Sequence, residues 1–155
     1  MTEDVGLLAN VDPEDRLTIP ADVLRVVRWW SKKPIDVTAE LVETGLIRVY
    51  PTEEARPLIA RLISDVSKRG YTREAQFERV QVIGDRYRTL KMYGDGRVRF
   101  VKEVAMLLGF SLGDQPTLYV QAFPAGFEIM SIAYRADRLA KLADSTTIGL
   151  HLIEP

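Results

Sequence analysis

The feature that most constrains this chain is an internal repeat. The segment DRLTIPADVLRVVRWWSKKPIDVTAELVETGLIRVYP (residues 15–51) is answered by GRVRFVKEVAMLLGFSLGDQPTLYVQAFPAGFEIMS (residues 96–131). Arg16 aligns with Arg97 and Gly45 with Gly126, both at an offset of 81. A repeat of this kind means one supersecondary unit used twice, so one local pattern must explain both halves.

In each copy an arginine opens a short alternating stretch, with Leu17 and Ile19 in the first and Val98 and Phe100 in the second. This is the period of a half-buried strand. A short helix follows, with Val23, Val26 and Val27, or Val104, Leu107 and Leu108, as its apolar positions. Two β-rich runs come next, 35–38 with 46–50 and 118–122 with 127–130, each pair broken at a glycine-containing turn. A strand also precedes each arginine, over 7–11 and 87–93, and in the latter Leu90 and Met92 alternate with Thr89 and Lys91.

Between the copies, PTEEARPLIARLISDVSKRGYTREAQFERVQVIGDRY reads as two helices. Leu58, Ile59, Leu62, Ile63 and Val66 share one face, and Phe77, Val80 and Ile83 another. Gly70 separates the helices, and Thr72 has the chemistry of an N-cap for the second. Pro57 is too deep for a helix beginning at Thr52, which predicts an irregular start near Arg56. AYRADRLAKLADS reads as a last amphipathic helix, and TIGLHLIEP as a tail that a strand would fit.

Composition narrows the chemistry. With 155 residues and 46% hydrophobic content the chain has material for a core. Its first residues are acidic where a signal peptide needs basic ones, and no apolar run approaches the roughly 18 residues of a membrane span. A cytoplasmic protein with no membrane partner is expected. The absence of cysteine removes disulfides, thiolate metal sites and a cysteine nucleophile together. His151, the only histidine, lies in the tail, and no nucleophile, base and orienting group can be named. GDGR is too short for a phosphate-cradling loop and opens a strand where such loops open a helix. The expectation is therefore no catalytic residue, no metal and no cofactor, hence not an enzyme.

Net charge is −1, so nucleic-acid binding would need a local basic patch. Lys91, Arg97, Arg99 and Lys102 form one, against the single acid Asp95. Gly94 and Gly96 would let that backbone come close to a duplex. The other reading of such residues is a charged strand edge that discourages edge pairing. Trp29 and Trp30, followed by Ser31, Lys32 and Lys33, fit either a stacking platform or a core contact. Their counterparts Phe110 and Ser111 favour the core, since only one position stays aromatic.

Over residues 5–132 the sequence resembles the MraZ family, on the strength of LANVDPEDRLTIP, LIRVYP, the two linker helices, GDGRVRF and GFEIM taken in order. The resemblance implies an α+β, β-rich fold: two tandem swapped-hairpin units of the AbrB or MraZ type forming a pseudo-dimeric barrel, with linker helices. The units would span 5–51 and 87–132, the helical linker 52–86, and a C-terminal helix and tail 133–155. It also implies a sequence-specific transcriptional regulator that binds double-stranded DNA at promoter repeats. The family assembles as a homo-oligomeric ring, associates with the nucleoid and represses the division and cell-wall cluster.

The family motif is an acid, three residues, then arginine. Asp12 and Arg16 meet it; in the second copy Arg97 is present, but Tyr93 stands where the acid belongs, leaving Asp95 as the nearest substitute. The DNA-binding residues expected are Arg16, Arg97, Arg99 and Lys102, with Asp12 bracing Arg16. Glu14 and Asp15 occupy positions where relatives tend to have a basic residue and glycine, and Leu24 falls where relatives place an arginine, with Arg25 next to it. These departures keep two alternatives open: a member of the same fold that has lost DNA affinity and serves as an interaction module, or an antitoxin-like partner.

Overall fold

A computed structural model describes residues 6–27, 32–123 and 125–153, with side chains through residue 144. The elements run β1 (Gly6–Asn10), β2 (Arg16–Thr18), α1 (Ala21–Val26), β3 (Ile35–Glu43), β4 (Leu46–Pro51), α2 (Thr52–Lys68), α3 (Arg73–Asp85), β5 (Tyr87–Met92), β6 (Arg97–Arg99), α4 (Lys102–Leu107), β7 (Thr117–Phe123), β8 (Gly126–Ser131) and α5 (Ile132–Ile153). The protein is α+β and rich in β-structure.

All eight strands belong to one antiparallel sheet, in the order β1-β7-β8-β4-β3-β5-β6-β2. The two end strands come back together through a single bridge between Val11 and Leu17, so the sheet is nearly closed into a barrel. β1 pairs with β7, β3 with β5, β4 with β8 and β2 with β6, so each strand before residue 52 has a neighbour from beyond residue 86. The two halves therefore share one continuous ladder of backbone hydrogen bonds. Leu17, Val37, Ala39, Ile47, Val49, Met92, Val98, Val120, Phe127 and Ile129 fill the interior, all 0% exposed.

The register refines the repeat. Val37 and Leu118, and Ala39 and Val120, are equivalent core positions 81 residues apart, but the hairpin pairings then change offset. β3 contains a bulge between Leu41 and Glu43 that the matching strand β7 lacks. One residue is absorbed there, so Val49 matches Ile129 and Thr52 matches Ile132 at an offset of 80. The expected equivalence of Gly45 and Gly126 therefore fails. Gly45 sits in the turn at φ +92°, whereas Gly126 is a strand residue whose added Cβ would collide with the Val49 carbonyl oxygen.

Other expectations also need correction. In α1 the buried residues are Val23 and Leu24, with Val27 at the C-cap, while Val26 is 43% exposed. α2 begins at Thr52 despite Pro57, which lies inside the helix. Tertiary contacts hold that first turn: Ala55 is buried, and the hydroxyls of Thr52 and Thr38 lie 3.0 Å apart in a hydrogen bond. These offset the backbone hydrogen bond that proline removes. Thr72 does cap α3, accepting from the Ala75 amide at 3.2 Å, and Gly70 has φ +70°. On α3 only Ile83 is buried, and Phe77 is exposed. The tail that would fit a strand is instead helix, because α5 continues through Ile153.

α5 is fastened to the barrel by a charged cluster. Glu128, 7% exposed, accepts from Arg48 on the neighbouring strand at 3.1 Å and from Arg138 on α5 at 3.2 Å. A buried carboxylate with two guanidinium partners avoids the cost of an uncompensated charge.

Candidate nucleic-acid interface

The two arginine turns lie side by side because the strands that follow them pair with each other. In the β2–β6 ribbon Arg16 stands opposite Arg99, Leu17 opposite Val98, and Thr18 opposite Arg97. Strand alternation sends Leu17 and Val98 into the core and puts Arg16, Thr18, Arg97 and Arg99 on the outer face. Three guanidiniums thus share one face of a two-stranded ribbon. The pairing continues past both ends reciprocally, the Ile19 amide donating to the Gly96 carbonyl and the Phe100 amide to the Asp15 carbonyl, each at 2.9 Å.

The turns have the same backbone scaffold. The Asp12 amide donates to the Arg16 carbonyl at 2.9 Å and the Asp15 amide to the Asp12 carbonyl at 3.0 Å. Tyr93, Arg97 and Gly96 make the matching bonds at 2.8 and 2.9 Å. The scaffold needs a left-handed residue before the arginine, filled by Asp15 at φ 64° and by Gly96 at φ 84°. Aspartate can occupy that region, which is why the acidic first turn still forms.

Side chains make the turns differ. Asp12 Oδ1 accepts from the Arg16 and Glu14 amides, both at 2.9 Å, and its Oδ2 accepts from Arg16 Nε at 3.0 Å. The Arg16 amide above all holds the Asp12 carboxyl below its usual value, assisted by the Glu14 amide and the guanidinium, against a smaller opposing effect of desolvation. Glu14 makes a second ion pair to Arg16 at 3.0 Å. In the second turn Asp95 takes the place of the missing acid, accepting from the Arg97 amide at 3.2 Å and forming an ion pair with Arg97 Nε at 3.2 Å. Arg97 has that one acid, and its side chain is 40% exposed against 27% for Arg16.

Around Arg97 the basic residues gather. Arg99 is exposed on β6, Lys102 is exposed at the start of α4, and Lys91 is exposed on β5 with its ammonium 5.8 Å from the Tyr93 ring centre. Lys32, ahead of β3, also lies here, for a Cβ on Gly94 would meet its carbonyl oxygen at 2.8 Å. Exposed Lys32 and Lys33 thus belong with the second turn, a placement that reading them with the tryptophans missed. The repeat carried a signal for it: Lys32 aligns with Gly113, and the Gly113 amide donates to Asp15 in the first turn at 2.7 Å. Lys32 and Gly113 each lie against the other half's turn.

The close approaches expected of Gly94 and Gly96 are internal. Gly94 faces Lys32, and a Cβ on Gly96 would meet Leu24 Cδ1 at 2.9 Å. Leu24 is therefore buried beneath the second turn, and Arg25 points away with Asp22 as its exposed ion-pair partner. Trp29 and Trp30 lie outside the described residues, as does the side chain of His151; Phe110, the counterpart of Trp29, is buried edge-on to Phe100 at 5.6 Å. Among the described residues no group of three or more acidic or histidine side chains could hold a metal ion, and no helix is long and apolar enough to cross a membrane.

Chemically, the ribbon offers a planar array of N–H donors and no acceptor from its arginines, an arrangement for reading oxygen and nitrogen acceptors or phosphates. No model of a known protein family matches this chain, and no curated protein matches it.

Proposed function

We propose that the protein is a sequence-specific regulator that binds double-stranded DNA through the β2–β6 ribbon. On this reading it is a MraZ-like chain of two swapped-hairpin units, 5–51 and 87–132, closed into a pseudo-dimer and joined by the helices of 52–86. The observation that carries it is the cross-half pairing that sets Arg16 against Arg99 and Thr18 against Arg97 on one outward face. A two-stranded ribbon fits the major groove, where an arginine fork can contact guanine O6 and N7 together. Lys102 and Lys91 supply phosphate contacts that fix register without reading sequence. Asp12 and Asp95 position the two arginines.

A single chain presents one ribbon, and several ribbons on one ring would add avidity at repeated sites. A closed homo-oligomer, binding promoter repeats in the cytoplasmic nucleoid and repressing a division and cell-wall cluster, completes the reading. The second reading, an interaction module of the same fold without DNA affinity, is favoured by one feature: both carboxylates of Asp12 and Glu14 engage Arg16.

Fluorescence anisotropy with labelled DNA from upstream of the protein's own gene, over a series of salt concentrations, separates the two. The regulator binds that DNA more tightly than a scrambled duplex, and the logarithm of its binding constant falls linearly with the logarithm of salt. Equal affinity for both duplexes, or none, transfers the case to the interaction module.

A further inference from the structure

The hairpin of α2 and α3 encloses a cleft of about 290 Å³, away from the residues discussed above. Its two walls are built alike. On α2 the sequence Leu62, Asp65, Val66, with Arg69 at the C-cap, and on α3 Arg79, Val82, Ile83, with Arg86 at the C-cap, both follow the i, i+3, i+4, i+7 rule that puts residues on one helical face. The cleft therefore has an apolar floor and a rim of three guanidiniums.

Those guanidiniums are not used internally as ion pairs. Among the described residues neither Arg69, Arg79 nor Arg86 has a carboxylate within 4.0 Å, although Asp65 lines the same cleft. Arg79 is instead held over the Tyr71 ring, its Cζ 4.1 Å from the ring centre. A cation–π contact of this kind restrains the guanidinium without using up its N–H donors. The carbonyl of Arg86 accepts from the Leu41 amide at 2.6 Å, which ties the cleft's end to the barrel.

We propose that this cleft binds a small organic anion: an aromatic or aliphatic body seated on Leu62, Val66 and Ile83, with a carboxylate, sulfonate or phosphate held by Arg79 and its neighbours. Its volume lies at the small end of ligand pockets, which run from roughly 300 to 1,000 Å³. An apolar floor beside the guanidinium donors selects for amphipathic anions over inorganic ones, because phosphate alone would satisfy the guanidiniums and leave the apolar floor uncovered. The inference is independent of DNA binding.

The test uses the full chain and anilinonaphthalene sulfonate as a fluorescent probe. Saturable binding is expected, displaced by naphthoate but poorly by neutral naphthalenemethanol or by inorganic phosphate. The double variant Arg79→Gln/Arg86→Gln should bind the probe about tenfold more weakly, as expected for the loss of charge-assisted hydrogen bonds. Lys141→Gln, on α5 and outside the cleft, should bind it like the parent. Thermal unfolding of the same samples checks that each variant is folded; should the double variant unfold, Arg69→Gln takes its place. Unchanged probe affinity in the arginine variants, equal displacement by naphthalenemethanol, or displacement by a short DNA duplex as effective as that by naphthoate would each overturn the proposal.

Discussion

The first and second arginine turns are built on one backbone pattern and filled with opposite electrostatics. In the first, Asp12 and Glu14 both engage Arg16, and Asp15 supplies the left-handed residue. In the second, one acid holds Arg97, glycine is left-handed, and Arg99, Lys102, Lys91 and Lys32 stand nearby. Completeness of the acid-to-arginine motif would rank the first turn higher. Accessibility and local charge rank the second higher, because an arginine already paired with two carboxylates has fewer N–H groups to offer DNA and brings negative charge beside it. Bracing and availability are competing demands on the same side chain, and the two turns sit at different points between them.

That ranking is most directly broken by truncating the arginines one at a time. Under the proposed function, Arg97→Ala should weaken binding to the upstream DNA by at least about tenfold, within the roughly 1–3 kcal/mol that a base-contacting arginine contributes. Arg16→Ala should cost less. Anisotropy titrations of both against one duplex decide it; an Arg16→Ala defect larger than that of Arg97→Ala reverses the comparison.

A stability measurement probes the left-handed position itself. Gly96→Ala should lower unfolding free energy by about 1–2 kcal/mol, the usual cost of putting a Cβ at such a dihedral, since Leu24 Cδ1 at 2.9 Å is the flexible end of a side chain and can move. Asp15→Gly should change stability less, because relief of the dihedral is offset by loss of the hydrogen bond from Gly113. Urea denaturation of the pair provides the readout, and equal effects would mean that the turns are not equivalent in backbone strain.

Much of this comparison was legible in the chain. The repeat identified Arg16 and Arg97 as equivalent, and alternation around each identified Leu17 and Val98 as inward residues. What stayed hidden depended on contacts distant in sequence. The pairing of β2 with β6 joins residues of the two halves, and nothing in either three-residue strand specifies its partner. The β3 bulge shifted the offset from 81 to 80 because an extra residue in one hairpin is structurally absorbed, whereas a glycine-to-glycine alignment simply carries it forward. Leu24 was passed over since helical spacing fits Val26 equally well, and only the neighbouring second turn selects between them. Pro57 misled for a related reason: local propensity places the helix start near Arg56, but burial of Ala55 pulls one more turn into the helix.

Charge at the first turn can be adjusted without touching either arginine. Glu14→Lys removes one of the two partners of Arg16 and reverses a charge that is mostly exposed. DNA binding should strengthen a few-fold at low salt and by less at high salt, since the screening length shrinks from about 30 Å at 0.01 M to about 10 Å at 0.1 M. Titrations at two salt concentrations test the sign and its trend together. A gain that does not diminish with salt would point to a reshaped turn instead of an altered field.

The smallest expected effect concerns Asp12 alone. Its carboxyl is held below its ordinary value, chiefly by the Arg16 amide. A group whose folded value is depressed contributes stability that is present above its unfolded value and is lost as pH falls through the folded one. The advantage of the parent over Asp12→Asn should therefore be constant from neutral pH down to about the ordinary carboxylate value of 3.9, then shrink as the solution becomes more acidic. Asparagine retains an oxygen that can accept from the Arg16 and Glu14 amides, so the substitution keeps the backbone hydrogen bonds of the turn and removes the charge together with the bond from Arg16 Nε. NMR titration of the Asp12 carboxyl, paired with urea denaturation of both proteins across the acid range, measures the shift and its consequence separately. A midpoint at or above the ordinary value, or a stability difference that does not change with pH, would mean that the charge on Asp12 does not help hold the first turn, leaving hydrogen bonding alone as the brace on Arg16.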